Sequence, residues 1–111
     1  MTRAEFEEHV RAALDSLPPH IAAALQNVAV VVEDENPEDP DLFGLYHGVP
    51  LTERGVEAPL EPDTISIYYR PLSEDFPDPA ELREEIRITV LHELGHYFGM
   101  DEDRLDELGY A

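Results

Sequence analysis

A chain of 111 residues holding 26 Asp and Glu, 7 Arg, no Lys and no Cys has room for one domain with one core. Its net charge of -19, with the Arg residues scattered, excludes a nucleic acid backbone or an anionic membrane as partner and favours cations and basic protein partners. A hydrophobic content of 42% excludes wholesale disorder, and without Cys there is no disulfide, no thiolate zinc site and no Cys nucleophile.

Thr2 followed by Glu5 reads as a capping box, and Phe6, Val10, Ala13, Leu14 and Leu17 recur at helical spacing until Pro18 and Pro19. This predicts a first amphipathic helix. Pro19 can open a short second helix, His20 to about Gln26, and the β-branched run Val28 to Val32 then reads as a buried strand. Glu33 to Asp41 packs six carboxylates and two prolines into nine residues, a composition that predicts a solvated loop.

Leu42 to His47 reads as a second short strand, ended by Gly48, Val49 and Pro50, with Pro50 fitting an edge position. Thr52 to Asp63 is a loop. Thr64 to Arg70, rich in β-branched and aromatic residues, is the third predicted strand, stopped by Pro71. Asp78, Pro79 and Glu81 form a helix start, and that helix is expected to run to about Phe98 with Gly99 as its stop. Asp101, bracketed by Met100 and Leu105, caps a last short helix that Gly109 closes.

The long helix carries His92, Glu93, Leu94, Gly95, His96, an H-E-x-x-H. Residues four apart lie one above the other on a helix, so both imidazoles can reach one ion while Glu93 flanks it as a general base. Leu82, Ile86, Val90, Leu94 and Tyr97 form the apolar stripe of this helix; His92 and His96 fall beside it, on a strip shared with Glu85 and Thr89, which read as supports of the histidines or as solvated positions. Catalytic zinc takes three protein ligands, so a third is needed. Gly99 lets the chain fold back beneath the ion, and with Asp101 spent on capping, Glu102 is favoured over Asp101 and Asp103.

His92 to Glu102 thus reads H-E-x-x-H-x-x-G-x-x-E, followed by Leu105, Glu107, Leu108 and Gly109 and preceded by Gly44, Leu45, Tyr46, Gly48, Pro50, Leu51 and Thr52. In these residues the chain resembles the small bacterial zincin-like metallopeptidase family over nearly its whole length, with Glu102 standing where that family usually has Asp. The resemblance implies an α+β fold, a minimal zincin in which a small mixed sheet of three or four strands packs on the active-site helix. It also implies one zinc ion (Zn2+) and a peptidase activity.

Such a site predicts hydrolysis of an amide or ester, with Glu93 passing a proton to the leaving amine, and short peptides or unfolded chains are the expected substrates. His47, Tyr46 and Tyr110 are candidate donors to the developing oxyanion, and Leu42 to His47 is the expected edge that pairs with substrate. His9 and His20 have no ligand spacing and read as structural. The alternative function is a non-catalytic, metal-stabilised acidic binding module. The charged residues between Met1 and Leu17 leave no unbroken apolar run for a secretory signal, and no run reaches the length that spans a bilayer, so a cytoplasmic location is expected.

Overall fold

The structure, a computed structural model, describes residues 1–25, 28–49 and 63–109. The predicted loop from Thr52, Pro50 and Tyr110 lie outside the described residues. Helix α1 spans Arg3–Asp15 and starts on the predicted capping box: the Thr2 side chain accepts from the Glu5 N–H, and Glu5 reaches back to the Thr2 N–H at 3.0 Å. Helix α2 (Pro19–Ala24) leads to strand β1 (Val28–Glu33); β2 is Gly44–His47 and β3 is Asp63–Tyr68.

The three strands form a mixed sheet in the order β1-β3-β2, with β1 parallel and β2 antiparallel to β3. The register aligns Val30, Ile65 and Tyr46 in one row and Val32, Ile67 and Gly44 in the next, all on one face. That face carries the core. Ile65 and Ile67 are fully buried against Phe6 and Val10 of α1 and Leu82, Ile86 and Val90 of the long helix α4 (Pro79–Tyr97). The opposite face keeps Val31 and Leu45 exposed.

Two departures from the sequence reading stand out. The third strand ends at Tyr68, and Tyr69–Asp75 is a helix, α3. Pro71 sits in the first turn of this helix, where its missing N–H is not required, so a residue read as a strand stop belongs to a helix start. Pro71 and Leu72 are buried, and the β-rich character of Tyr69 and Arg70 yields to that packing.

Helix α4 begins as predicted, with Asp78 accepting from the Glu81 N–H at 3.0 Å and Pro79 opening it. It ends in a Schellman motif: the Met100 N–H donates to the Gly95 carbonyl at 2.9 Å and the Gly99 N–H to the His96 carbonyl at 3.0 Å. Gly99 takes φ +86°, and the chain turns into α5 (Glu102–Leu108). Among the described residues no helix is long and apolar enough to cross a membrane.

Candidate metal centre

The predicted polar strip of α4 opens into a cleft of about 850 Å³ between that helix, β2 and the start of α5. His92 and His96 line it half-buried, one turn apart, with their Nε2 atoms 3.2 Å from each other. Glu102 Oε1 lies 2.9 Å from His96 Nε2 and 3.4 Å from His92 Nε2. Two nitrogens and one oxygen therefore form a compact triangle. Donors bound tetrahedrally at zinc distances of about 2.0–2.2 Å stand about 3.3–3.5 Å apart, so this triangle is close to the spacing such an ion requires. The donor set of imidazole and carboxylate suits zinc and related divalent ions.

Glu93 lies on the inner side of the same strip, 6% exposed, with its Oε1 3.9 Å from His92 Nε2. Ligand atoms of His92, Glu93 and His96 all fall within 4.8 Å of one another. Burial pushes the Glu93 carboxyl above the ordinary carboxylate range; the adjacent His92 and His96 and the Tyr46 backbone N–H pull it down without overcoming desolvation. A carboxyl in that condition is suited to take up and return a proton.

The rest of the cleft is built by close approach of backbone. A Cβ at Gly44 would stand 2.9 Å from Thr89 Cγ2 and 3.1 Å from Glu93 Cγ, so only glycine lets β2 lie this near to α4. The Phe43 carbonyl accepts from the Tyr68 N–H at 2.9 Å, which turns the alternate groups of Gly44 and Tyr46 away from β3 and toward the cleft. Among the described residues β2, within the predicted edge strand, is thus an edge of the sheet, and its side turned away from β3 borders Glu93.

Gly95 does for α5 what Gly44 does for β2. The fully buried Leu105 side chain occupies the space where a Gly95 Cβ would stand, seating α5 on α4. Asp101 accepts from the Arg104 N–H at 2.9 Å and is consumed as the cap, as expected, while Glu102, the next residue, faces the histidines. Asp103 is exposed and does not line the cleft.

Other candidates fare differently. The Tyr46 hydroxyl donates to the buried Asp63 at 2.6 Å and its ring stands edge-on to Tyr97, so its side chain anchors β2 while its main chain meets Glu93. His47 is exposed and does not line the cleft. Thr89 is buried and its hydroxyl donates to the Glu85 carbonyl at 2.8 Å, which makes it a packing neighbour of Gly44 rather than a donor to an imidazole. Gly44, Gly95 and Asp63 were not singled out from the sequence for these roles. Gly95 carried a usable signal, since a glycine in a helix interior costs about 1 kcal/mol and implies a packing reason.

Among curated proteins no relative matches the chain. The family model described as zincin-like metallopeptidase matches residues 25–110, which includes β1, β2, β3, α4 and α5. The chain belongs to the zincin-like metallopeptidase family.

Proposed function

We propose that this protein is a zinc-dependent peptidase in which His92, His96 and Glu102 hold the metal and Glu93 is the general base. The reading rests on the triangle of His92 Nε2, His96 Nε2 and Glu102 Oε1, with edges of 3.2, 2.9 and 3.4 Å, beside a buried carboxyl. Zinc bound there would supply Lewis acidity toward a carbonyl oxygen and toward water.

The chain's own groups do the remainder. His92 and His96 are held by a helix buried on both flanks, so their rotamers are restrained before any ligand arrives. Glu93 accepts a proton at its carboxylate from the attacking water and delivers it to the leaving amine, and the Tyr46 N–H fixes the orientation of that carboxylate. The side of β2 turned away from β3, apart from the Tyr46 N–H that Glu93 holds, offers a strand edge along which an extended peptide can lie. Glu93 is preferred as base rather than third ligand because Glu102 is nearer to both imidazoles and Glu93 is already hydrogen-bonded by Tyr46.

Metal analysis of protein purified without added zinc, followed by Glu93→Gln, tests the assignment. Expected are one zinc per chain in both forms and a loss of peptide-library hydrolysis by about 10²–10⁴-fold in the variant. Retained zinc with no cleavage by either form would instead support the metal-stabilised binding module.

A further inference from the structure

Within the cleft, Glu85 is the carboxylate that the proposed chemistry leaves unused. The cleft is lined by Glu85, Glu93, Asp101 and Glu102 and, among the described residues, by no Arg. Asp101 caps α5, Glu102 meets the two imidazoles and Glu93 accepts from Tyr46, whereas the half-buried Glu85 carboxylate has no hydrogen bond or ion pair among the described residues. A carboxylate that lines a cleft and makes no hydrogen bond or ion pair to the described residues is open to a cationic ligand group.

The wall around it has the matching shape. Ile88 is one helical turn from Glu85, and Leu42 and Phe43, just before β2, line the same cleft. Apolar side chains sharing a cleft with a carboxylate suit a long aliphatic stem with a charged tip, the form of an Arg or Lys side chain. We infer that the cleft selects peptides carrying a basic residue and that Glu85 is the residue that recognises it. This substrate class rests on the peptidase reading above.

The distance along the helix fixes the position. Glu85 precedes His92 by seven residues, which at about 1.5 Å per residue is roughly 10 Å along the axis. An extended peptide covers that span in about three residues. The basic side chain therefore belongs two to four residues from the bond to be cleaved, on the side lying toward Leu42.

The test uses zinc-loaded Glu93→Gln protein, in which bound peptide is not consumed, and fluorescein-labelled octapeptides of Ala and Leu with one Arg walked through every position. Anisotropy titration is expected to show that Arg at one or two adjacent positions binds about tenfold tighter than Gln at the same place. That preference should vanish when Glu85→Gln is added and turn toward Glu when Glu85→Arg is added, with zinc content and Tm verifying that each variant is folded. Absence of any positional Arg preference, or a preference that survives Glu85→Gln and so belongs to the -19 surface at large, overturns the inference. Cleavage of the same peptides by the zinc-loaded wild type is read separately. Arg selection without cleavage refutes the peptidase and leaves the Glu85 subsite standing; cleavage without Arg selection does the reverse.

Discussion

The two halves of the proposed metal site are held in unlike ways. His92, Glu93 and His96 stand on a 19-residue helix packed against α1 and two strands, and Glu93 is 6% exposed. Glu102 stands on a seven-residue helix, its side chain 65% exposed, and it reaches the histidines only because three separate features aim it. These are the left-handed turn at Gly99, the Asp101 cap and the Leu105 side chain resting over Gly95. The histidine pair is ordered by the core itself, whereas the carboxylate is ordered by a rim that can loosen without unfolding the domain.

Four substitutions measure that difference. His96→Ala should be the most severe for the metal, lowering zinc affinity by about a hundredfold or more in a chelator competition, because it removes a preorganised donor. Leu105→Ala should lower stability by about 2–5 kcal/mol, read as a fall in Tm, and should weaken zinc binding as well although Leu105 is no ligand. If zinc binding is untouched in Leu105→Ala, α5 does not aim Glu102.

Glu102→Ala should weaken zinc about tenfold, less than His96→Ala, since an exposed flexible side chain loses more rotamer freedom on binding. Equal losses from His96→Ala and Glu102→Ala would erase the asymmetry between core and rim. Gly95→Ala is the subtlest. Helix propensity alone would raise Tm by adding about 1 kcal/mol, but the new Cβ meets Leu105. A Tm that rises with unchanged zinc affinity would show that Leu105 is not seated as described; the expected result is a lower Tm with a few-fold weaker affinity.

How far the site could be read beforehand follows the same division. The H-E-x-x-H geometry depends on neighbours four apart within one helix, so residue spacing contains it, and the caps at Thr2, Asp78 and Asp101 were legible for the same reason. Glu102 was reachable because Gly99 and Asp101 mark a turn and a cap on either side of a short connection. The helical start at Tyr69 was not, since Tyr69 and Arg70 continue a β-rich run and only the burial of Pro71 and Leu72 decides against it.

Gly44 shows the limit most plainly. Nothing near residue 44 in the chain announces that Glu93, far along it, will lie 3.1 Å from the position of its absent Cβ. Local spacing and end signals determined α1, α2, α4 and α5, the histidine pair with the Glu93 carboxyl between them, and the acidic character of the surface, because each is written in residues close together in the chain. Only the tertiary structure decided that the predicted edge strand lies beside Glu93, that Leu105 seats α5 over Gly95, and that Glu85 borders a cleft lined by no Arg among the described residues. Those outcomes depend on contacts between segments distant in the chain, whose geometry is set by how the core closes rather than by any short run of residues.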